Sequence, residues 1–482
     1  MNAQILDRVA PVYDIKKSLW YGTHKTGNFK LALCFYSRDG NTMSFPLSCI
    51  SSYIKSRFTD VEIHIFPVLT SMDEYAYSVS GIADTIFQWK PDLIAVSLMS
   101  VQWDGMDDYL RRIKSKNPEV PVLIGGYQAI LNPQQTINHP AVDFVCVGDG
   151  EIPVADLIMF LRGDKKGHVY GLWEKMTDES VFCTDPVQIN DINTLPFPDY
   201  DIYYEGSEDF SFYSSTGSKE RNFLPAMNGR GCPYRCTYCC NSAMMDMWKD
   251  RKYFLRRYDP VKYTEELRRM KEKYNYDFIE FWYEHMLFNS RYINEFIKHY
   301  SKNVGLPFTA WARVETLSED MCIKVADGGC YLLCIGIESG NEEYRRKVLN
   351  RKMSNKQILD AVDNCRKVGI KVLTYNMVGM PFETKEMAQE SLDFTKRIAP
   401  EYANFFTYIP MRGTKLYRTA EKAGLILSKK YYSSYEQESN SRARYTLNIK
   451  EHDQGMTNDE FNEIWQEIYI FQLRNNRLAF NP

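Results

Sequence analysis

Between residues 29 and 163, short apolar runs alternate with longer stretches whose apolar side chains recur every three or four positions. The runs are residues 30–36, 62–69, 92–99, 120–124 and 144–147. The spaced stretches are 46–58, 73–89, 106–115 and 152–161. Runs so short and so apolar predict strands buried on both faces, and the spaced stretches predict helices. Their alternation predicts an α/β unit, a Rossmann-like doubly wound parallel sheet. Ligands of such sheets sit at the carboxyl ends of the strands. Three of those ends carry small residues: Ser97 with Ser100, Gly125 with Gly126, and Gly148 just ahead of Glu151. Small residues let a large ligand reach the backbone, or close tight turns with no ligand at all.

The pattern breaks over residues 164–222. Pro186, Pro196, Pro198 and a Ser/Gly-rich stretch at 205–219 mark a linker, and prolines beside aromatics predict that it packs on a surface. Alternation resumes at Phe223. Strand candidates are 224–228, 278–282, 309–314, 332–337, 372–378 and 405–409, separated by helical stretches such as 260–274, 292–302 and 355–368. Six βα units predict a partial (β/α)6 TIM-like barrel with its chemistry at the C-terminal strand ends. Beyond Gly424 the pattern weakens. Residues 429–453 are polar and tyrosine-rich, and 457–478 predict a terminal helix. The expected division is an extension (1–28), a first α/β domain (29–165), a linker (166–222), a barrel (223–425) and a small C-terminal segment (426–482).

Composition narrows the partners. The chain carries 59 basic and 62 acidic residues, a net charge of −3, with no basic arm or acidic tail. No nucleic acid or anionic membrane is therefore expected as partner. No apolar run is long enough to span a bilayer, and residues 1–22 lack a signal-peptide pattern, so the expected location is cytoplasmic. In a large cytosolic chain twelve cysteines predict buried thiols and metal ligands, not a disulfide framework.

Three of them have a telling spacing. Residues 228–241 read Asn-Gly-Arg-Gly-Cys-Pro-Tyr-Arg-Cys-Thr-Tyr-Cys-Cys-Asn, directly after the first barrel strand. Cys232, Cys236 and Cys239 form CxxxCxxC. Three thiolates so spaced can wrap one face of a 4Fe-4S cubane and leave the fourth iron open to chelate an amino acid. Clusters held by four cysteines usually only carry electrons. The rival is structural zinc, which wants four tetrahedral ligands, and no distant CxxC completes such a set. Cys240 reads as a small core residue.

This segment resembles the radical S-adenosylmethionine superfamily, whose CxxxCxxC motif has an aromatic before the last cysteine. Tyr238 stands there, and the resemblance places it near the adenine of the cosubstrate. Later strand ends match as well: Gly336-Ile-Glu-Ser-Gly340, Gly379-Met-Pro-Phe-Glu-Thr384 and Tyr408-Ile-Pro-Met-Arg-Gly-Thr414. The resemblance makes Arg313, Glu338 and Ser339 further S-adenosylmethionine contacts; read alone, Arg313 is equally a rim ion pair and Glu338 a satisfied buried carboxylate. The second strand departs from the family, reading Glu280-Phe-Trp-Tyr-Glu-His285. Glu284 and His285 are candidate catalytic groups there, with Glu280 beside them; alternatively Glu284 caps the next helix.

The first domain resembles the cobalamin-binding domain fused ahead of many radical enzymes, through the helix opening at Pro46-Leu47, Ser97-Leu-Met-Ser100, Gly125-Gly126 and Gly148-Asp-Gly-Glu151. Asp149 replaces the usual Glu. The DxHxxG loop of other cobalamin enzymes is absent, since Arg38-Asp-Gly-Asn41 has no histidine. The resemblance implies Ser97, Ser100, Gly125, Gly126, Gly148 and Glu151 as cobalamin contacts.

The two resemblances together imply a cobalamin-dependent radical enzyme. A low-potential reductant such as flavodoxin or ferredoxin supplies an electron, S-adenosylmethionine is cleaved to a 5′-deoxyadenosyl radical, and methylcobalamin methylates an unactivated carbon of a small molecule or natural-product intermediate. The alternatives are a radical oxidoreductase or cyclase without methyl transfer, and a non-enzymatic cobalamin-binding regulator. Methylthiolation of RNA would need further cluster motifs, which the settings of Cys34, Cys49 and Cys146 do not resemble. The sequence does not name the substrate.

Overall fold

A computed structural model describes residues 13–24, 27–37, 43–69, 75–204, 222–248, 250–283, 285–427 and 447–479. The chain forms two compact units, one of Met1–Ile189 with Leu195–Phe210, the other of Asn190–Thr194 with Ser211–Pro482.

The first unit holds a seven-stranded sheet in the order β2-β1-β3-β4-β5-β6-β7. Its strands are β1 (Phe29–Ser37), β2 (Val61–Leu69), β3 (Leu93–Ser97), β4 (Val122–Gly125), β5 (Phe144–Cys146), β6 (Leu172–Lys175) and β7 (Val181–Phe182). β1 to β5 pair in parallel, as the alternation predicts. Leu31, Leu33, Ile94 and Ile124 are fully buried, which is why these strands lack a polar face. Each such side chain contributes ~1.5–3 kcal/mol by leaving water. The chain order reverses between β1 and β3, so a ligand crevice opens at their carboxyl ends.

β6 and β7 lie within residues that the sequence reading assigns to the linker. They add to the sheet antiparallel, with Leu172 and Glu174 buried and Trp173 and Lys175 half-buried. Four and two residues are too few to show alternation from sequence. The proline-rich stretch that follows does pack down. The Tyr203 hydroxyl donates to the Ser44 carbonyl at 3.0 Å, and the Asp199 amide donates to the Ser48 carbonyl at 3.1 Å.

The second unit is built on a six-stranded parallel sheet. It contains β8 (Phe223–Ala226), a small antiparallel pair β9 (Gly229–Arg230) and β10 (Arg256–Arg257), then β11 (Phe278–Phe281), β12 (Phe308–Ala312), β13 (Cys330–Glu338), β14 (Lys371–Val378) and β15 (Tyr402–Thr407). The order is β15-β14-β13-β12-β11-β8, and β8 does not pair with β15, so the barrel is partial. Phe281 and Phe308 pack on Phe296 and Tyr300 of the helix Ser290–Asn303. Strand alternation therefore turns Glu280, Thr309 and Trp311 to the opposite, inner face.

The helix Asn458–Ala479 covers the edge strand β15. Asn476 accepts from the Ala403 amide through Oδ1 at 3.0 Å and donates to its carbonyl through Nδ2 at 3.3 Å, standing in for a neighbouring strand. Phe461, Trp465 and Ile468 of this helix are buried. No disulfide joins any of the twelve cysteines, and no described helix is long and apolar enough to cross a membrane.

Candidate functional site

The cysteine loop leaves β8 and is shaped by close packing. Gly231 sits at φ +83°, and a Cβ there would collide with the Phe254 carbonyl. Cys236 is buried, Cys232 and Cys239 are half-buried, and Cys239 is the N-cap of the helix Cys240–Met247. Cys240 is half-buried at that helix start and does not enter the core. Residues far along the chain pin the loop. Thr237 donates to the Val348 carbonyl at 2.7 Å, and Asn350 donates to the Arg235 carbonyl at 2.7 Å.

Two buried guanidinium groups are aimed at the middle sulfur. Arg313 Nη1 lies 3.4 Å and Arg351 Nη1 3.8 Å from Cys236 Sγ. Both guanidiniums can donate to that sulfur. Among the described residues no group of three His, Cys, Asp or Glu is gathered closely enough to hold a single metal ion. Three half-exposed or buried thiols on one loop, set among cations, suit an anionic polynuclear cluster.

Arg313 also pairs with Glu315 at 2.5 Å and stacks on Tyr234, its Cζ 3.8 Å from the ring centroid. It is both a rim ion pair and a neighbour of the triad. At the end of β13 the Tyr238 hydroxyl donates to Glu338 Oε1 at 2.9 Å. Arg351 Nη1 donates to the Tyr238 oxygen at 3.3 Å, lies 3.8 Å from Glu338 Oε1, and its Nη2 donates to the Gly336 carbonyl. Burial raises the Tyr238 pKa, opposed chiefly by Arg351. Glu338 adopts φ +72°, a left-handed conformation costing ~1–3 kcal/mol for a side-chain-bearing residue. Ser339 is buried, and its hydroxyl faces Ser391 Oγ at 3.4 Å and accepts from the Asn341 amide at 3.3 Å. Its side chain thus holds the strand end together. Arg351 and Tyr234 went unnoticed in the sequence because loop positions carry no periodicity.

His285 is buried and stacks on Tyr234, with ring centroids 4.6 Å apart. Burial, then the Arg313 and Arg257 guanidiniums, push its imidazole down to about 3, so it is neutral at physiological pH. Its Nε2 has no hydrogen-bond partner among the described residues. Glu284 lies outside the described residues. Glu280 is buried and accepts from Trp282 Nε1 at 3.1 Å.

At the carboxyl edge of the first sheet, Ser97 is half-buried and Ser100 buried, its Oγ accepting from Asn132 Nδ2 at 3.3 Å. Gly126 at φ +81° packs against Leu98, whose carbonyl oxygen would stand 2.6 Å from an added Cβ. Gly148 at φ +107° packs against the Val187 backbone. These two glycines are required by the chain's own close approach. Gly125 is different: an added Cβ there meets nothing nearer than Cys146 Cβ at 4.0 Å. Asp149 accepts from the Ile189 amide at 2.8 Å, which gives that residue a bracing role. Glu151 is buried at the start of the helix Glu151–Arg162. That helix, Phe45–Arg57 and Gly126–Leu131 all begin without a side-chain cap. Met99 and Ile152, 42% and 37% exposed, add apolar surface there. These features suit a large ligand held by shape and backbone. Residues 38–42, where a DxHxxG loop would sit, lie outside the described residues.

Comparison with known proteins agrees with both halves. The model of the Radical SAM superfamily matches residues 229–395, and that of the B12 binding domain matches residues 38–158. An uncharacterized methyltransferase of Pyrococcus horikoshii is 26% identical over 355 residues, 72% of this chain and 73% of that one. Cytidylyl-2-hydroxyethylphosphonate methyltransferase of Streptomyces wedmorensis is 22% identical over 387 residues, 73% of this chain and 71% of that one. Anaerobic magnesium-protoporphyrin IX monomethyl ester cyclase of Cereibacter sphaeroides is 23% identical over 375 residues, 76% of this chain and 58% of that one. The fold matches that of the radical S-adenosylmethionine methyltransferase TsrM from Kitasatospora setae, solved with cobalamin and a 4Fe-4S cluster. The TM-score is 0.63 at 13% identity, over 83% of this chain and 79% of that one. With a Radical SAM domain and a B12-binding domain in one chain, this is a cobalamin-dependent radical SAM enzyme whose cofactors are a 4Fe-4S cluster, S-adenosylmethionine and cobalamin.

Proposed function

We propose that this enzyme methylates an unactivated carbon of a small molecule by radical chemistry, with cobalamin as methyl carrier and a flavodoxin- or ferredoxin-like protein as reductant. The observation that carries this reading is the presence in one chain of a B12-binding domain and a three-cysteine loop with two guanidiniums directed at Cys236. Relatives named methyltransferases, alignable over nearly three quarters of the chain, support it.

In this reading Cys232, Cys236 and Cys239 hold the cluster, and Tyr238, Arg313 and Glu338 face S-adenosylmethionine, with Arg351 tying Tyr238 to Glu338. When bound, these groups supply a hydrogen-abstracting carbon radical, and cobalamin supplies the methyl group. Arg313 and Arg351 hold the Cys236 sulfur in place from two sides. Tyr238 closes over the site while its hydroxyl is committed to Glu338. Ser339, tied to Ser391, fixes the strand end from which Glu338 projects. His285, neutral and buried, contributes a nitrogen that can accept or donate one hydrogen bond. On the other unit, Ser97, Ser100, Gly125, Gly126, Gly148 and Glu151 line the cobalamin edge.

The test is an anaerobic assay of reconstituted protein with reductant, scoring both S-adenosylmethionine products. Methyl transfer yields 5′-deoxyadenosine and S-adenosylhomocysteine together with a methylated product. Deoxyadenosine without any S-adenosylhomocysteine overturns the reading and favours the oxidation or cyclisation that the cyclase relative represents.

A further inference from the structure

The segment that carries Cys236 is tied to two others. Asn350 donates to the Arg235 carbonyl at 2.7 Å, and Thr237 donates to the Val348 carbonyl at 2.7 Å. The Thr237 carbonyl accepts from the Leu416 amide at 2.8 Å. Three stretches therefore meet at the cysteine loop: residues 235–237, 346–352 and 414–418.

Their charge differs from that of the rest of the chain. The whole chain carries −3, yet these stretches contain no acid. They bear Arg346, Lys347, Lys352, Lys415 and Arg418, all exposed, and Arg235, which is half-buried. Apart from Arg235, which is on the loop, each stands within two residues of a position bonded to it, so within about 8 Å of that position along the chain. Acids reach the patch from its edges. Asp246 pairs with Arg235 and also with Arg251, and Glu343 pairs with Lys347 at 2.5 Å and attracts Arg346. Four residues further along the two later stretches stand Glu342 and Glu421, but also Lys356, Arg412 and Lys422. The excess of cations survives this wider count. Among the described residues Arg346, Lys352, Lys415 and Arg418 close no ion pair with a carboxylate; Arg418 donates to the Gly413 carbonyl at 2.7 Å.

Such cations do little for the fold. Exposed pairs contribute ~0–1 kcal/mol, and unpaired like charges repel. What they supply is a positive field around the loop, which speeds encounter with an acidic partner and orients it. Nucleic acid fits less well. Tyr417, the single aromatic residue of the three stretches, is buried and offers no ring for a base.

Resting on the reading that a flavodoxin- or ferredoxin-like protein is the reductant, we propose that these six cations are its docking surface. The partner presents carboxylates around its redox group. One electron leaves the carrier, which is oxidised by one, and enters the cluster, which is reduced by one; no bond forms and no proton moves. The electron enters at residues 235–237, whose middle residue is itself a cluster ligand in this reading.

The experiment follows reduction of the anaerobic holoenzyme by freeze-quench electron paramagnetic resonance of the reduced cluster. The reductants are flavodoxin hydroquinone, reduced ferredoxin and photoreduced deazariboflavin, which is small and uncharged. Arg346→Glu/Lys352→Glu/Lys415→Glu changes exposed side chains at the patch. Lys262→Glu/Lys298→Glu/Lys302→Glu makes the same change in net charge at exposed positions on other helices. At low salt the protein carriers are expected to reduce the patch variant about tenfold or more slowly than the wild type, and the control less than about threefold more slowly. The salt dependence of the patch variant should flatten, and deazariboflavin should reduce all three proteins equally fast. A patch variant as fast as the wild type, or a control as slow as the patch variant, overturns the docking surface and leaves the carrier reading standing. Failure of both carriers to reduce a wild type that deazariboflavin reduces removes the carrier reading and the surface with it. A labelled RNA oligonucleotide that binds the wild type and not the patch variant, with carrier rates unchanged, assigns the cations to nucleic acid and also overturns the proposal.

Discussion

The two ligand regions of this protein are built in opposite ways. The barrel end of the second unit gathers side chains: Cys236 faces Arg313 and Arg351, and Tyr238, Glu338 and Arg351 form a largely buried charged network. The carboxyl edge of the first sheet instead presents serines, glycines and helix starts without a side-chain cap, with Glu151 as the one acid implied there. A side-chain site needs particular residues converging from distant positions, and each is costly to remove. A backbone site needs particular conformations, and what matters is where a side chain is absent. Substitutions should therefore hurt the first by deletion and the second by addition.

The largest expected effect is at Arg351. Its side chain is 6% exposed and its ion-pair partner Glu338 13%. Removing one member of a buried pair leaves the other charge uncompensated and costs about 3–5 kcal/mol. Arg351→Met should lower the stability of the metal-free protein by about that amount in denaturant unfolding. The double variant Arg351→Met/Glu338→Gln should recover most of the loss, because it leaves no unpaired charge. A single variant costing under about 1 kcal/mol would mean that the network adds little and that the contrast between the regions is one of appearance.

Titration gives the next effect, again on the barrel side. Glu383 is buried, with the Gly379 and Met380 amides donating to one oxygen, and burial pushes its carboxyl up to about 8. The folded state then holds a proton that the unfolded state releases near its ordinary pKa of 4.5. Stability from this group is full below that value and is lost as pH rises toward 8. His285 acts in reverse: its folded pKa of about 3 lies below its ordinary 6.5, so stability is lost as pH falls through that interval. The two roughly cancel between 4.5 and 6.5, and above that interval the decline from Glu383 stands alone, about 2 kcal/mol by pH 8. Glu383→Gln should flatten unfolding free energy between pH 6.5 and 8. An equally steep decline in that variant would assign the pH dependence elsewhere.

The same contrast governs what could be read from the chain. Both sheets were legible because their strands are short apolar runs: the residues 371–378 run as β14 where the pattern gave 372–378, and the helix Pro260–Tyr274 falls where spacing put it. The hairpin β6–β7 was not, because six residues cannot show a period. The cysteine triad was legible from spacing alone. Arg351 was not, because its importance comes from folding 115 positions away from Cys236, which leaves no local mark. Ser339 was expected to face the cosubstrate by its place in a motif, yet its hydroxyl is engaged with Ser391 and Asn341. The glycines show the converse: Gly125, Gly126 and Gly148 look alike in sequence, and only packing separates them.

That separation supplies the smallest and most discriminating effect. Gly148→Ala places a Cβ against the Val187 backbone at φ +107° and should destabilise the protein by about 1–3 kcal/mol whether or not cobalamin is present. Gly125 has φ −123°, which any residue adopts, and open space around its absent Cβ. Gly125→Ala should therefore change stability by less than about 0.5 kcal/mol. The fold has no use for glycine there, so any use belongs to a ligand. If cobalamin lies against this backbone, the added methyl group should weaken its retention on a desalting column, scored by visible absorbance, while the unfolding curve stays in place. Retention unchanged in Gly125→Ala would mean that the ligand does not approach at β4, and the backbone site would then be confined to the strand ends at Ser97 and Gly148.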